Sequence, residues 1–483
     1  MLIERAVTET LESLFAERRA LSIEERLVST KAEKILWIGL SGGIDSTVLL
    51  HAAAQFAAMS SRKLKAIHIH HGLSKNADAW AEHAQTLCKE LSEKFSIAID
   101  CVVERVQLDD RSDGLEQAAR SARYRIFTKH CGPNDVLLQG HHLDDQIETF
   151  FMRVIRGSGL TGLASIPKQR SLSRDNTCQI LRPLLNIEKN QLLEYAKDHQ
   201  LNWVEDESNQ DSKIDRNWWR NELLPQIWQR YPEQKRSLSR TINTIQHEQS
   251  LLQSLLLASI NDKTVLNTEQ QPADMKIHPA LKDIPSFNLL LIRELDQATS
   301  LSYLRAWLAQ YVDILPSAIQ MQTIYVDMIL AGIDREPKVN WSSSALYRYN
   351  NCLYLIDNAT FIGIGLDGVK LKSIEWQGEE TDCFLGQLVC HEQVDSFGLI
   401  PAEYTLRNWQ AGDVAKPAGR STRKMKKWWQ DYSVPSWARE HWPIIVDKET
   451  DKIAAVPGLF VCQGYCVEPG QSGWLIEYKV ILK

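Results

Sequence analysis

The chain has 483 residues, of which 44% are hydrophobic and 24% charged, and its formal net charge is −6 at pH 7. This composition is typical of a soluble globular protein, and the length predicts two to four domains. The sequence contains no run of 18 or more apolar residues, and its N-terminus lacks the apolar stretch of a secretory signal. We therefore expect a cytoplasmic protein without a membrane-spanning segment.

The cysteines and the net charge exclude further classes of protein. The nine cysteines are scattered and form no C-x-x-C pair, so we expect free, mostly buried thiols rather than a disulfide framework or a zinc ribbon. The net negative charge provides no overall attraction for nucleic acid, so any such interaction requires a local basic patch.

Residues 34 to about 156 alternate short apolar runs with segments of helical periodicity. Four strands are predicted at KILWIGL, LKAIHI, IAIDCVV and DVLLQG, with helices between them. Continuous apolar strands that alternate with helices favour a parallel sheet covered on both faces. The predicted class is a doubly wound α/β fold, in which ligands bind at the carboxyl ends of the strands.

The rest of the chain predicts two further domains. Segments such as LLQSLLLASI indicate a mostly helical domain, for which we predict residues 226–365. Short β-like runs and many Val, Gly, Trp and Pro residues then predict a smaller α+β or β domain at 366–483. The α/β domain would occupy residues 1–225.

A glycine-rich segment, SGGIDS, follows the first predicted strand and opens a helix. The backbone N–H groups of such a turn, together with the helix dipole, form an anion site. The lysine of the kinase-type phosphate loop is absent, and the carboxylate of Asp45 would repel phosphates unless Mg²⁺ lies between them. An ordinary turn capped by Asp45 is the alternative. The predicted phosphate-binding residues are Ser41, Gly42, Gly43, Ile44, Asp45 and Ser46.

A second motif, GHHLDDQIETFF, places three acids at one end of a predicted helix. Asp144, Asp145 and Glu148 are spaced three and four apart, so they crowd largely one face. Like charges this close require a metal, an amine substrate or another cation. The alternative is a solvated helix N-terminus, which acids also favour.

Two other segments carry arginines at helical spacing. Glu116, Arg120 and Arg123 form either a surface ion-pair ladder or a binding site for the polyphosphate of a nucleotide. Arg216 and Arg220 lie four apart on a predicted helix after a polar turn. Either arginine pair alone is as consistent with a structural role as with binding.

A basic run near the C-terminus stands out in this acidic chain. It is followed directly by Trp428 and Trp429, and stacking aromatics beside cations are typical of RNA-binding surfaces. The alternative is a solvated helix face with both tryptophans in the core. The basic residues are Lys416, Arg420, Arg423, Lys424, Lys426 and Lys427.

Together these motifs resemble the tRNA(Ile)-lysidine synthetases of the PP-loop ATP pyrophosphatase superfamily. The matching segments lie between about residues 33 and 225. They are SGGIDS, HHGL at 70–73, AARSARY at 118–124, HHLDDQIET at 141–149, RGSG at 156–159, and EDESNQD…RN..R ending at Arg220. The resemblance implies a PP-loop catalytic domain, a helical tRNA-contacting domain and a C-terminal tRNA-binding domain.

The resemblance also implies a reaction. In that family ATP adenylylates the C2 oxygen of the wobble cytidine in a CAU anticodon. The ε-amino group of free L-lysine then displaces AMP to give lysidine, and pyrophosphate is the other product. The implied partners are ATP with Mg²⁺, L-lysine and tRNA(Ile), and codon reading changes from AUG to AUA. A homodimer is compatible with the sequence, which does not specify the oligomeric state.

Residue roles follow from the same resemblance. Asp145 and Glu148 would bind the lysine, and Asp145 would accept a proton from its amine. Asp144 belongs to the same catalytic set and would bind Mg²⁺ with Asp45, while Arg123 would contact the polyphosphate. The residues expected to contact tRNA are Arg216, Arg220, Arg420, Lys424, Lys426 and Lys427.

Three alternatives remain open at this point. A tRNA 2-thiolation enzyme would need reactive cysteines at the site, whereas Cys88, Cys101 and Cys131 lack C-x-x-C spacing and lie outside the motifs. A glutamine-dependent amidating enzyme would need a glutaminase partner. A non-catalytic RNA-binding protein that uses ATP only as a ligand would release no pyrophosphate.

Overall fold

The computed structural model describes residues 2–19, 34–72, 74–106, 115–173, 178–207, 215–266, 277–332, 335–357, 361–362, 373–383, 386–394, 398–468 and 470–482. The end of the HHGL motif and the second half of EDESNQD lie outside these ranges. The chain divides into two compact units, Met1–Leu252 and Gln253–Lys483. The three predicted domains, with limits at 225 and 365, remain a prediction.

The first unit contains a six-stranded sheet that confirms the four predicted strands. The order is β3-β2-β1-β4-β6-β5, in which all neighbouring pairs are parallel except β5 with β6. The strands are β1 (Ile35–Gly39), β2 (Lys63–His70), β3 (Ile99–Arg105), β4 (Val136–Leu138), β5 (Gln169–Ser171) and β6 (Gln179–Leu181).

Helices flank this sheet as the doubly wound prediction requires. A π-helical turn, Trp219–Leu223, separates α8 from α9, and α10 extends across the division between the units. The helices are α1 (Leu2–Arg19), α2 (Ile44–Ser60), α3 (Ala77–Phe95), α4 (Leu115–His130), α5 (Leu143–Ile155), α6 (Leu160–Leu163), α7 (Lys189–Asp198), α8 (Asp215–Trp218), α9 (Leu224–Arg230) and α10 (Gln234–Leu266). No described helix is long and apolar enough to span a bilayer.

Helix α2, which carries the glycine-rich loop at its start, is buried along most of its length. It packs against α1, α3, α7 and the sheet, which explains why its sequence has no polar face. Leu49 and Leu50 are both fully buried, and truncating either to alanine would cost about 2–5 kcal/mol of stability. The loop is therefore attached to a helix that is packed on several sides.

The strand order reverses at β1. The chain goes from β1 to β2 on one side and later places β4 on the other side. In parallel sheets the crevice at such a switch point, beyond the carboxyl ends of the two strands, is the usual ligand site. The segments that follow β1 and β4 are SGGIDS and GHHLDD, so both predicted motifs meet at this crevice.

The middle of the chain, in the second unit, has the predicted helices and also a four-stranded antiparallel sheet. Helices α11 (Gln297–Leu308) and α12 (Ala318–Thr323) are followed by a π-helical segment, Ile324–Ile329. The sheet has the order β7-β10-β9-β8. Its strands are β7 (Ser286–Asn288), β8 (Lys338–Trp341), β9 (Ser344–Tyr349) and β10 (Cys352–Asp357).

The C-terminal part is mainly antiparallel β structure, which confirms the predicted class. Its sheets have the orders β11-β21-β14-β13, β12-β15-β18-β19-β20 and β16-β17. Four buried tryptophans, at 376, 428, 429 and 442, dominate the core. The elements are β11 (Phe361–Ile362), β12 (Ile374–Trp376), β13 (Thr381–Cys383), β14 (Gly386–Val394), β15 (Tyr404–Asn408), β16 (Val414–Ala415), β17 (Arg423–Lys424), α13 (Met425–Asp431), α14 (Ser436–Arg439), β18 (Pro443–Asp447), β19 (Ile453–Val456), β20 (Phe460–Val461) and β21 (Ser472–Leu482).

Candidate active site

The glycine-rich loop is held by its own hydroxyls and by a neighbouring segment. The Oγ atoms of Ser41 and Ser46 are 3.0 Å apart, and Ser46 Oγ donates to the carbonyl of Gly43 at 3.0 Å. Gly42 has a φ of +86°, a conformation that favours glycine, and its carbonyl accepts from Val204 N at 3.0 Å. Backbone N–H groups at the start of α2 are thereby left in place for an anion.

Gly140, at the end of β4, allows the second motif to touch this loop. A Cβ atom at this position would lie 3.0 Å from the carbonyl carbon and oxygen of Asp45, so a side chain would push the two segments apart. The close approach brings His142 Nε2 to 3.6 Å from Asp45 Oδ1. The two predicted motifs therefore form one site.

Asp45 has a carboxylate oxygen that the protein leaves unsatisfied. Its Oδ1 atom is buried and has no hydrogen-bond partner among the described residues. Burial, with a further contribution from Asp145, raises the pKa of Asp45 against the opposing effect of His142. A buried oxygen of this kind suits a cation.

The surroundings of Asp45 fit Mg²⁺ bound together with phosphates. Within the described ranges, no group of three or more His, Cys, Asp or Glu side chains is arranged to hold a metal ion. Mg²⁺ at nucleotide sites commonly uses only one or two carboxylates and takes its other oxygens from phosphate and water. The residues present therefore fit a nucleotide-bound ion and not an all-protein metal cage.

His142 caps helix α5 and fixes the orientation of its acids. Its Nδ1 accepts from Asp144 N at 3.2 Å, while Asp145 Oδ2 accepts from His142 N at 3.0 Å, which completes a capping box. Burial alone would lower the pKa of His142, but the neighbouring carboxylates, Asp145 foremost, raise it above its usual value. Because a protonated ring has no acceptor nitrogen, the bond from Asp144 N requires a neutral His142, whose Nε2 then carries the proton and lies 3.6 Å from both Asp45 Oδ1 and Asp145 Oδ2.

Asp145 and Glu148 are paired with both arginines of the RN..R motif. Asp145 Oδ1 accepts from Nη2 of Arg216 at 2.9 Å and of Arg220 at 3.0 Å. Glu148 accepts from Arg216 Nε at 2.9 Å and from Arg220 Nε and Nη2 at 2.7 and 2.8 Å. We call these four residues the acid–arginine cluster. The sequence assigned its acids to lysine and its arginines to tRNA, and did not indicate that they would meet.

The cluster controls the protonation of Asp145. Burial would favour the protonated form, but His142, Arg216 and Arg220 hold the pKa of Asp145 well below its usual range. A carboxylate with such a low pKa is a weak base. In this arrangement the predicted proton-accepting role of Asp145 is therefore disfavoured.

Asp144 is occupied by partners that sequence reasoning missed. Its Oδ2 accepts from Lys189 N at 3.0 Å, and its Oδ1 accepts from Lys235 Nζ at 2.8 Å. Although burial opposes the effect, these contacts and His142 lower the pKa of Asp144 well below its usual range. This pairing gives the predicted Mg²⁺ role of Asp144 no support, since Asp144 points to Lys235 on α10.

Arg123 is close enough to two histidines that follow strands β2 and β4 to affect their pKa. Its charge contributes to the lowered pKa of His71 and of His141, after the larger effect of burial on each. Burial lowers the pKa of His141 to about 3, and its Nδ1 faces Arg182 Nε at 3.3 Å. His141 is therefore neutral, and Arg182, which no motif singled out, fixes its ring.

The C-terminal basic run is exposed, as predicted for an RNA contact, but its tryptophans are not. Trp428 and Trp429 are 1% and 0% exposed and belong to the core, as the alternative for this run expected, so they do not offer a surface for stacking bases. Arg423 is paired with Asp431 at 3.2 Å. The basic residues with exposed side chains include Lys416, Arg420, Lys424, Lys426 and Lys427.

A buried ion pair anchors the segment that carries these cations. Arg407 Nη1 and Nη2 each donate to the carboxylate of Asp413 at 3.0 Å, and both side chains are mostly buried. The carbonyl of Asp413 accepts from Met425 N at 3.0 Å, at the start of α13. The exposed lysines therefore project from a fixed hairpin and helix.

The glycine-rich loop at the switch point of a parallel sheet defines a nucleotide-binding protein of the PP-loop class. A family model described as "PP-loop domain" matches residues 15–227. Models described as "TilS substrate binding domain" and "TilS substrate C-terminal domain" match residues 288–354 and 404–478. The chain belongs to the tRNA(Ile)-lysidine synthase family, as its relatives confirm.

Relatives of this name match almost the whole chain. The tRNA(Ile)-lysidine synthase of Vibrio atlanticus is 35% identical over 461 residues, which cover 91% of this chain and 95% of the relative. That of Photobacterium profundum is 34% identical and covers 91% and 94%. A third, from Haemophilus influenzae, is 35% identical and covers 88% and 94%. The resemblance seen in the motifs is thus confirmed, and it extends beyond residue 225.

Proposed function

We propose that this protein is a ligase that joins L-lysine to C2 of the wobble cytidine of CAU-anticodon tRNA(Ile). In the first step the C2 oxygen attacks the α-phosphate of ATP, and pyrophosphate leaves. In the second step the ε-amino group of lysine forms the C–N bond and AMP leaves. The product reads AUA instead of AUG. The names of the relatives and the chemistry of the site support this proposal.

The unsatisfied Oδ1 of Asp45 beside the Ser41–Ser46 loop is the observation that carries the proposal. The loop offers backbone N–H groups to phosphates, and Asp45 would hold Mg²⁺ against them. The ion, when bound, supplies positive charge for the departing pyrophosphate. A lysine that grips the terminal phosphates is absent from the loop, in keeping with cleavage between the α- and β-phosphates.

Asp145 and Glu148 are the proposed binding groups for the lysine ammonium. Their oxygens already hold cationic nitrogens at 2.7 to 3.0 Å, which is the chemistry that an ammonium group needs. Lysine binding would then require an arginine to release one carboxylate. Loss of that cation raises the pKa of Asp145, which would make it a better acceptor for the proton that the attacking amine must lose.

The exposed cations of the C-terminal segment are the proposed tRNA contacts, namely Arg420, Lys424, Lys426 and Lys427. Arg216 and Arg220 can contact RNA only if they leave Asp145 and Glu148, so their predicted role in tRNA binding is coupled to lysine binding. A cytoplasmic location follows from the proposed substrate, and a homodimer remains a prediction.

The site gives less support to 2-thiolation. Sulfur transfer needs a reactive thiolate, which in proteins is accessible and electropositive. Six of the nine cysteines are buried, none is in a disulfide, and none lies in the segments that form the crevice. The ligase is therefore the better reading.

The test is incorporation of radiolabelled lysine into a CAU-anticodon tRNA, with pyrophosphate release measured in parallel. A transcript with uridine at the wobble position is the control, because its C2 carbonyl belongs to a different base. We expect label only in the cytidine transcript. Release of pyrophosphate without label in the RNA would contradict the lysine assignment.

A further inference from the structure

A cluster of histidines lies beside the glycine-rich loop and has no role in the reaction as proposed. Apart from His70 Nε2, which faces Asp78 Oδ1 at 3.3 Å, two of its ring nitrogens, His71 Nδ1 and His83 Nε2, are buried and have no hydrogen-bond partner among the described residues. Buried polar atoms are nearly always paired in folded proteins, so each exception requires an explanation. Asp45 Oδ1, in the same region, is a third such atom.

His83 lies directly against the loop. It projects from α3, and its Cδ2 atom is 3.8 Å from the place where a Cβ of Gly42 would be. Cδ2 is bonded to Nε2, so the unpaired nitrogen lies within about one bond length of that contact. The ring therefore adds a polar group to the loop on the side where α3 covers it.

His71 follows β2, the strand next to β1, so both strands end at the same edge of the sheet. It is close enough to Arg123 for that charge to lower its pKa, after the larger effect of burial. Arg123 is the residue predicted to contact the polyphosphate. The unpaired Nδ1 thus belongs to a residue at the sheet edge that carries the loop, within reach of the charge of Arg123.

A neighbouring histidine shows what a satisfied ring looks like here. His68 Nδ1 is 2.9 Å from the carbonyl oxygen of Leu40. His70 Nε2, in contrast, lies 3.3 Å from Asp78 Oδ1 but makes no hydrogen bond within the described residues. In the described part of the chain, His71 Nδ1 and His83 Nε2 have no such neighbour, so a ligand is the natural source of their partners.

We propose that His71 and His83 bind the polyphosphate of ATP, with His71 Nδ1–H and His83 Nε2–H donating to phosphate oxygens. The inference rests on the proposed function and deepens it, because it adds two binding residues to the loop. A neutral imidazole has one N–H and one acceptor nitrogen, so each ring is assigned the tautomer that carries its proton on the unpaired atom. Arg123 and the loop supply the positive charge.

The test uses the different reach of two amides. The side-chain nitrogen of asparagine can replace Nδ1, whereas that of glutamine reaches the position of Nε2. For binding of α,β-methylene-ATP with Mg²⁺ to the full chain, we expect His83→Asn and His71→Gln to raise the Kd about tenfold or more. His83→Gln and His71→Asn should remain within about threefold of the original protein. Gln85→Asn, an exposed change on α3, is the matched control.

The position-specific rescue separates binding from folding, since a general loss of structure would affect both amides at a position alike. Thermal melting of all five variants checks this directly. Equal Kd values for Asn and Gln at both positions, whether weakened or unchanged, would overturn the inference.

Inorganic pyrophosphate tests which part of the nucleotide is bound. In competition with α,β-methylene-ATP, pyrophosphate should bind more weakly to His83→Asn by a similar factor, and unchanged competition would overturn the polyphosphate assignment. Failure of the original protein to incorporate lysine, with the Asn/Gln pattern intact, would refute the proposed function and not this inference. Incorporation of lysine by the original protein, without the Asn/Gln pattern in the variants, would refute this inference and not the proposed function.

Discussion

Replacement of Arg220 by methionine tests the acid–arginine cluster. Arg220 donates three of the five hydrogen bonds that the two arginines make to the acids, including the bond from its Nε to Glu148 Oε1 at 2.7 Å. Glu148 is 1% exposed and cannot turn to water. The substitution keeps most of the side-chain volume, so its main effect is to leave a buried carboxylate oxygen unpaired.

The expected loss of stability follows from these contacts. Removing one partner of a buried ion pair costs about 3–5 kcal/mol. The Arg220 side chain is 26% exposed, and Arg216 still reaches Glu148 Oε2, so we take the lower end, about 3 kcal/mol. For a unit of this size, about 1 kcal/mol corresponds to roughly 2–4 °C in Tm. The melting temperature of the first unit should therefore fall by roughly 6–12 °C.

Differential scanning calorimetry of the full chain measures this fall, with the transition of the first unit identified as the one that α,β-methylene-ATP raises. Arg153→Met, an exposed change on α5, should shift it by less than about 2 °C. Adding Glu148→Gln to Arg220→Met should recover part of the loss, because the unpaired charge is gone. A Tm for Arg220→Met equal to that of Arg153→Met, or fully additive losses in the double variant, would refute the reasoning.

Three further predictions concern charge. The raised pKa of Asp45 means that its ionised form destabilises the fold above that pKa. Asp45→Asn should therefore raise the Tm, while pyrophosphate release should fall by at least about 100-fold. A lower Tm would contradict this. Burial lowers the pKa of His51 to about 4, so the stability of the fold should decline as the pH falls from about 6.5 to about 4. Melting curves of His51→Gln should show a smaller decline over this range. An unchanged pH profile would exclude His51 as its cause. Replacing three exposed lysines by alanine should weaken tRNA binding. The slope of the log of the binding constant against log salt concentration should fall in magnitude by about 0.7–0.9 per lost phosphate contact. An unchanged slope would show that these lysines do not contact the tRNA. These lysines are Lys424, Lys426 and Lys427.

The fold was predictable because its signals are local. Each strand of the central sheet is a short apolar run, and each covering helix has its periodicity within one segment. The position of the crevice followed as well, since the carboxyl ends of parallel strands share one edge. In the sheet formed by β7 to β10, the pairs β8–β9 and β9–β10 are local hairpins, but β7 pairs with β10 across more than 50 residues, as with Cys352 and Asn288, and no local pattern indicates that pairing.

The site was predictable only where its residues lie in one motif. The loop and the acids of α5 are contiguous in sequence, but Arg216 is 68 residues from Glu148, and Lys235 is 91 residues from Asp144. No periodicity links such pairs. The burial of Trp428 and Trp429 did have a signal, because with Met425 they are spaced three and four apart, the spacing of a helix face that packs on a core.

The spacing of the acid–arginine cluster also has a consequence for synthesis. Asp145 leaves the ribosome before Arg220, which is 75 residues later, and at about 5–20 residues per second the interval lasts several seconds. During it the two acids of α5 have no arginine to neutralise them, so burial of Glu148 is unfavourable. The α/β unit therefore cannot complete its crevice until the segment after Asp215 has emerged, and a nascent chain shorter than this should expose the acids to solvent.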